Sequence, residues 1–200
     1  MPGIDICGIT NKEDAKWAAI YGVEYLSVCM EPGSPKKVSP DSAFEIRRSL
    51  PSYTKFALDF GEAENIDYSF IKKSSPDIIK FCLSPGSGRE EKVPAGLEDL
   101  VPETVLKVEG ADELLNNGRD FTPLWQLRID QNCEEDLKRL KQNLDPEKLI
   151  IHGELELGLI KKVCGIIEPR AWCLEEIISS SARRIDNGLM KKYIREISLI

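Results

Sequence analysis

The chain has 200 residues, of which 42% are hydrophobic and 30% are charged, as in an ordinary globular domain with one sizeable core. Its 27 basic and 34 acidic residues leave a net charge of −7, which repels phosphate backbones and argues against nucleic acid as a partner. No apolar run approaches the roughly 20 residues that a membrane-spanning helix needs, and the start, MPGIDICGIT, lacks a signal-peptide pattern. We therefore expect one domain over residues 1–200, cytoplasmic and without a membrane partner.

The apolar runs are short and alternate with amphipathic segments, a pattern typical of parallel strands connected by crossover helices. The candidate strands are residues 4–9, 25–29, 55–60, 77–83, 105–108, 123–127, 149–151 and 171–174. The candidate helices are residues 12–21, 40–50, 68–73, 96–100, 111–116, 134–144, 157–163 and 187–197. Asn11 and Asp186 precede the first and last helices as N-caps, and Trp17, Ala18 and Tyr21 form an inward stripe on the first helix.

Eight strand-helix pairs predict a single compact (β/α)₈ TIM barrel, an α/β fold in which so short a chain requires some reduced helices. An open, doubly wound sheet is the competing fold. That fold favours a glycine-rich phosphate turn after the first strand, and residues 8–10 contain only Gly8. The closed barrel is therefore preferred.

Six cysteines lie at positions 7, 29, 82, 133, 164 and 173, and no two of them form a C-x-x-C pair. The sole histidine, His152, is the one imidazole available to assist them. We therefore expect no metal site, and we interpret most of the cysteines as reduced, buried hydrophobic residues.

The first 51 residues contain several motifs in a fixed order. Residues 6–10 read I-C-G-I-T, residues 13–15 read E-D-A, residues 34–39 read S-P-K-K-V-S and residues 50–51 read L-P. This series resembles the phosphoribosylanthranilate isomerase family of tryptophan biosynthesis, which carries I-C-G-I-T, E-D-A, S-P-R-x-V-S and L-P in the same order.

The resemblance implies an aldose to ketose isomerisation, an Amadori rearrangement of N-(5'-phosphoribosyl)anthranilate, with that phosphorylated small molecule as the ligand and no cofactor. A general acid protonates the furanose ring oxygen, and a general base removes a proton from the adjacent carbon. Cys7 matches the family's base and lies at the carboxyl end of the first strand, where barrels place catalytic residues. Lys36 matches an arginine that would hold the aminobenzoate carboxylate, although lysine lacks the two-pronged hydrogen bond.

The second half of the chain departs from the family. Residues 80–83 read K-F-C-L where the family has Q-L-H-G, and the family's glycine loop after the sixth strand is missing. Arg128 lies nearest to the position of the family's acidic residue, and Asp130, two residues further on, becomes the candidate general acid. We assign Arg128 to substrate binding.

The two loops that bind phosphate in such barrels are also altered. Residues 152–155 read H-G-E-L, so that Gly153 keeps one of two family glycines, and residues 175–179 read E-E-I-I-S in place of S-S-G-V-E. Glu154, Glu175 and Glu176 would repel a phosphate, and Ile177 prevents close backbone approach. We expect a degenerate phosphate site bordered by His152 and Gly153, in which His152 could titrate at about pH 6 to 7 beside a glutamate.

Three hypotheses follow. The first is a divergent isomerase that uses Cys7 as base and Asp130 as acid, and the second is a catalytically silent barrel that acts as a binding or regulatory partner. The third is an enzyme for an unphosphorylated or cationic substrate. The sequence leaves a monomer and a homodimer both open.

Overall fold

The structure, a computed structural model, describes residues 2–82, 94–117, 124–153, 155–174, 178–181 and 184–200. The strands are β1 (Gly3–Ile6), β2 (Tyr25–Cys29), β3 (Lys55–Glu62), β4 (Ile78–Cys82), β5 (Glu103–Val108), β6 (Leu124–Ile129), β7 (Leu149–Gly153), β8 (Ala171–Cys173), β9 (Ser179–Ser181) and β10 (Arg184–Ile185). The α-helices are α1 (Lys12–Ile20), α2 (Pro40–Ser49), α3 (Tyr68–Ser74), α4 (Ala111–Asn117), α5 (Glu134–Asn143), α6 (Leu157–Cys164) and α7 (Asn187–Ile197). Two 3₁₀ turns span Ala63–Asn65 and Pro146–Lys148.

Strands β1 to β8 form a closed parallel barrel in sequence order. The last strand pairs with the first, with Gly3 opposite Ala171 and Asp5 opposite Cys173, so the sheet has no open edge. Strands β9 and β10 form a separate antiparallel pair between β8 and α7. The predicted (β/α)₈ barrel is confirmed, and the alternative of an open sheet is wrong.

Helix capping follows the sequence. The Asn11 side chain accepts a hydrogen bond from the Asp14 amide at 2.9 Å, and Asp186 accepts one from the Leu189 amide at 2.8 Å. The predicted inward stripe of α1 is partly wrong, because Trp17 is 45% exposed while Ala18 is fully buried. Trp17 instead stacks on Tyr21 at the surface, with ring centroids 5.8 Å apart.

The helix predicted between β4 and β5 is absent from the described residues 94–102, which form turns. Gly96 adopts a φ of 81°, and the Leu97 amide donates to the Pro94 carbonyl oxygen at 3.2 Å, a spacing of three residues that belongs to a turn. Leu97 is nevertheless fully buried. Two buried apolar residues, Leu97 and Val101, thus cover this side of the barrel where a helical stripe was expected.

Residues of each barrel strand alternate between two apolar layers. Outward residues pack against the helices, whereas a smaller inner cluster fills the barrel axis and comprises Cys7, Tyr25, Ala57, Ile78, Val105, Leu124, Ile150, Ala171 and Cys173. The amino-terminal end of the barrel carries an ionic group in which Glu103 accepts from Lys55 at 3.2 Å and from Arg170 at 2.9 Å. The opposite, carboxyl-terminal end therefore remains for a functional site.

Among the described residues, none of the helices combines the length and the apolar character required to cross a bilayer.

Candidate active site

A buried polar cluster lies inside the barrel directly beneath Cys7. The ammonium group of Lys80 on β4 forms an ion pair with Asp5 on β1, and both side chains are 0% exposed. Lys80 also donates to the Gln126 amide oxygen at 3.1 Å and to the Cys7 sulfur at 3.3 Å. The Ser27 hydroxyl donates to the second oxygen of Asp5 at 3.1 Å. Each polar group therefore has a partner, as burial requires.

Strand alternation explains why these side chains meet. On β4, Ile79 and Phe81 belong to the outer apolar layer, so Ile78 and Lys80 face the barrel axis. Burial alone would lower the pKa of Lys80, but the charge of Asp5 outweighs burial, and the pKa is raised. Lys80 is therefore a cation at neutral pH.

Cys7 is 3% exposed and follows the end of β1, where Gly8 turns the chain with a φ of 74°. Its sulfur lies 3.5 Å from the Asp5 carboxylate in addition to its contact with Lys80. Cys173 on β8 is also close, since the ligand atoms of Asp5, Cys7 and Cys173 all lie within 4.8 Å of one another. Burial first, and then its hydrogen bond with Cys7, raise the pKa of Cys173, so that this residue stays a thiol.

Asp5, Cys7 and Cys173 form a group of three possible metal ligands within the described ranges. This group does not suit a metal ion. The Lys80 ammonium already bonds the Asp5 carboxylate and the Cys7 sulfur. A second cation at the same place would be repelled by the first.

A second ion pair lies at the mouth of the barrel. Lys107 on β5 donates to both Asp59 oxygens, at 2.9 and 3.1 Å, and the Gly61 amide donates to Asp59 at 3.0 Å. Burial alone would lower the pKa of Lys107, but the charge of Asp59 outweighs burial, and the pKa is raised. Burial also raises the pKa of the neighbouring Cys82 to about 11, so its thiol is neutral at pH 7.

His152 on β7 is partly buried beside these cations. Burial, and then the charges of Arg128, Lys80 and Lys107, lower its pKa to about 4, while Asp59 opposes them. The expected titration of His152 at pH 6 to 7 is therefore wrong. Its imidazole is neutral at physiological pH and can donate or accept a hydrogen bond.

The structure places the other predicted site residues around this mouth. Arg128 is the neighbour of His152 in the β6–β7 register and is exposed, and Gly153 follows with a φ of 133°. Lys36 lies in the loop after β2, with its amide donating to the Ser34 hydroxyl at 3.3 Å. Glu154 and the acidic loop of residues 175–177 lie outside the described residues.

Asp130 lies beyond the end of β6 and is exposed. Its carboxylate accepts a hydrogen bond from the Asn132 amide at 2.7 Å, which closes a local turn before α5. Asp130 and Arg128 both line an open cleft of about 220 Å³ between the loops that follow β5 and β6. The structure thus brings Asp130 near Arg128, while its role as general acid stays a prediction.

Sequence reasoning missed Lys80, Asp5 and the Asp59–Lys107 pair. A signal was present, because Asp5 lies between Ile4 and Ile6 and Lys80 lies between Ile79 and Phe81. A lone charge within an apolar strand must face either solvent or a buried partner. In a closed barrel, the alternation of side chains along the strand places such a charge on the inner face.

Comparison with known proteins gives a consistent result, although no family model matches the sequence. The N-(5'-phosphoribosyl)anthranilate isomerase of Chlorobium luteolum is 31% identical over 131 residues, a match that covers 64% of this chain and 55% of that protein. The chain thus spans about half the length of this relative. The protein of the same name from Acidithiobacillus ferrooxidans is 26% identical, and the alignment covers 98% of each chain.

A crystal structure of phosphoribosyl anthranilate isomerase, in complex with reduced 1-(o-carboxyphenylamino)-1-deoxyribulose 5-phosphate, superposes with a TM-score of 0.83 at 18% identity. The superposition covers 100% of both chains.

The closed parallel barrel, with a buried cysteine and several charges at the carboxyl ends of its strands, places the chain in the (β/α)₈ barrel class. Within that class, the matched motifs and relatives are those of one family. The chain is similar to proteins of the phosphoribosylanthranilate isomerase family, at 26% and 31% identity to the two relatives above.

Proposed function

We propose that the chain is an isomerase that converts N-(5'-phosphoribosyl)anthranilate to its ribulose isomer in tryptophan biosynthesis, as the names of its relatives indicate. The observation that carries this proposal is the position of Cys7. Its sulfur lies at the carboxyl end of β1, inside the I-C-G-I-T motif, and in contact with the ammonium group of Lys80. A cation beside a cysteine stabilises the thiolate, the form that can accept a proton.

The proposed chemistry consists of proton transfers. The general acid protonates the ring oxygen and opens the sugar as a Schiff base, which makes the hydrogen on the adjacent carbon acidic. Cys7 then removes that proton, and the electron pair of the broken C–H bond forms the enamine. The enamine tautomerises to the ketose when its enol O–H proton is lost to water and the former imine carbon takes up a proton from water. An acid and a base suffice for these steps, so the proposal needs no cofactor.

The charges at the mouth suit an anionic substrate. Arg128 lies there beside His152, and Lys36 lies on the adjacent loop, whereas the charge of Lys107 is paired with that of Asp59. The neighbouring protein of known structure binds a ligand that carries both a carboxyl group and a phosphate. We propose that Arg128 and Lys36 bind such anionic groups, with the neutral His152 and the Gly153 backbone beside them.

Asp130 remains the proposed general acid. For this role the carboxyl group of Asp130 must give up the hydrogen bond from the Asn132 amide and donate its own proton to the ring oxygen of the substrate. Asp130→Asn should lower kcat while Asp136→Asn, in the same cleft, leaves kcat unchanged. Equal activity of Asp130→Asn and wild type would assign the acid elsewhere.

The silent-barrel hypothesis has no support among the relatives named above, which are isomerases. Complementation of a bacterial auxotroph that lacks this step separates the two hypotheses. Growth without tryptophan should be lost with Cys7→Ala and kept with Cys164→Ala, since Cys164 lies on the outer helix α6. Absence of growth with folded wild-type protein would refute the isomerase.

Binding gives an independent test. The reduced carboxyphenylamino deoxyribulose phosphate should stabilise the protein by about 2.7 kcal/mol at 100 times its Kd. Absence of a thermal shift at millimolar ligand would contradict an anionic sugar-phosphate site and would favour the hypothesis of an unphosphorylated substrate.

We also infer a cytoplasmic location, which the six free cysteines support because reducing compartments keep thiols unpaired. The oligomeric state stays open between monomer and homodimer. Sedimentation equilibrium of the purified chain distinguishes these two states.

A further inference from the structure

The ammonium group of Lys80 has a complete set of acceptors. Its three N–H donors face the Asp5 carboxylate, the Gln126 amide oxygen at 3.1 Å and the Cys7 sulfur at 3.3 Å. Asp5 and Gln126 come from two different strands, β1 and β6, and fix the nitrogen between them. The remaining N–H is therefore directed at the sulfur.

Other groups around Cys7 fit the same arrangement. Cys173 on β8 stays a thiol and can donate its S–H to the Cys7 sulfur, and Lys107 on β5 adds a positive charge within electrostatic range of it. The charge of Lys107 is largely balanced by Asp59. His152, which pairs with Cys173 in the β7–β8 register, is neutral and adds no charge.

Asp5, which lies on β1 two residues before Cys7, is the one described carboxylate in contact with the sulfur, at 3.5 Å. Its negative charge opposes a thiolate, whereas it accepts a hydrogen bond from a thiol. Asp5 and Lys80 therefore act on Cys7 in opposite directions, and Lys80 also neutralises Asp5.

We propose that Lys80 is a positioning residue that holds Cys7 in the thiolate form required of the general base. This inference rests on the proposed isomerase function, and it assigns to β4 a role that the first 51 residues do not contain. Before the reaction, the thiolate accepts a hydrogen bond from Lys80. When it takes the proton from the sugar carbon, the electron pair of that C–H bond enters the enamine, and the new thiol donates to Asp5. Solvent removes this proton afterwards.

Three variants should change the pH midpoint of Cys7 in different directions or by different amounts. Lys80→Met leaves the sulfur beside an unpaired Asp5 carboxylate, so it should raise the pH midpoint of Cys7 by about one unit or more. Asp5→Asn leaves Lys80 with Cys7 as its anionic partner, so it should lower the midpoint. The double variant removes both charges without leaving either one unpaired, and its midpoint should lie above that of Asp5→Asn.

The experiment is a ¹³C NMR titration of cysteine Cβ resonances between about pH 5 and pH 10, with the Cys7 signal assigned from Cys7→Ser. A shift of one unit means a tenfold smaller thiolate fraction at a given pH below the midpoint. Lys55→Met is the matched control, because Lys55 is ion-paired to Glu103 at the opposite end of the barrel. Its Cys7 midpoint should equal that of wild type.

The proposal is overturned if Lys80→Met and Asp5→Asn move the midpoint in the same direction, or if Lys80→Met moves it no further than Lys55→Met. Should Lys80→Met fail to fold, the double variant compared with Asp5→Asn decides the question, and equal midpoints overturn the proposal. The titration needs no substrate. Turnover without these shifts would refute the role of Lys80 alone, and these shifts without turnover would refute the isomerase function.

Discussion

Lys80→Met keeps the approximate length of the side chain but deletes its charge. Asp5 is then left fully buried without its ion partner, and it retains the hydrogen bond from Ser27 at 3.1 Å. Removal of one partner from a buried ion pair costs about 3–5 kcal/mol. Because Ser27 still serves one Asp5 oxygen, we expect the lower end of this range, about 3 kcal/mol.

For a domain of this size, each kcal/mol lowers Tm by roughly 2–4 °C, so Lys80→Met should unfold about 6–12 °C below wild type. Circular dichroism during heating at pH 7 measures this difference, and guanidinium titration supplies the free energy of unfolding. The double variant Asp5→Asn with Lys80→Met should recover much of the loss, because no charge remains unpaired in it.

Lys55→Met provides the surface comparison, since Lys55 and Glu103 are 37% and 26% exposed and such pairs contribute about 1 kcal/mol or less. A Tm of Lys80→Met within about 2 °C of wild type would refute the buried ion pair. So would a double variant that is no more stable than Lys80→Met.

Three further predictions concern the mouth of the barrel. The pKa of His152 falls from 6.5 to about 4 on folding, so its contribution to stability is present above pH 6.5 and is lost as the pH falls towards 4. In urea titrations, wild type should therefore lose about 2 kcal/mol more of its free energy of unfolding than His152→Asn between pH 7 and pH 4.5. Parallel losses in the two proteins would contradict the partly buried, neutral imidazole. Gly153→Ala should lower the free energy of unfolding by at least about 2 kcal/mol, since a Cβ there would lie 2.4 Å from the Ile129 carbonyl oxygen at a φ of 133°. The control Gly158→Ala, whose Cβ meets no atom within 4 Å, should be neutral or stabilising. Equal melting temperatures of the two variants would refute this close approach. Lys36→Arg should lower KM several-fold and Lys36→Ala should raise it, and an unchanged KM in both variants would remove Lys36 from the substrate site.

The barrel itself was predictable because its signal is local. Each strand is a short apolar run, the first and last crossover helices begin with the readable caps Asn11 and Asp186, and closure follows from eight strands in sequence order. The Cys7 motif was equally readable, since all of its residues lie within one strand and its loop. The helix expected at residues 96–100 failed because one buried leucine within a Pro-Gly segment does not specify a helix.

The cluster beneath Cys7 was not predictable in the same way. Asp5 and Lys80 are 75 residues apart, and their contact depends on how β1 and β4 face each other across the barrel. The lowered pKa of His152 likewise depends on Arg128, Lys80 and Lys107, which three different strands supply. Such relationships follow from strand register, which a single sequence does not contain.

Steady-state conversion of N-(5'-phosphoribosyl)anthranilate by the purified chain tests the central claim most directly. We expect measurable kcat/KM for wild type and for Cys164→Ser, and a loss of at least about a hundredfold for Cys7→Ser, as for removal of a general base. Folded wild-type protein with no turnover above the uncatalysed reaction, or Cys7→Ser with undiminished kcat/KM, would contradict an isomerase site at the carboxyl end of β1.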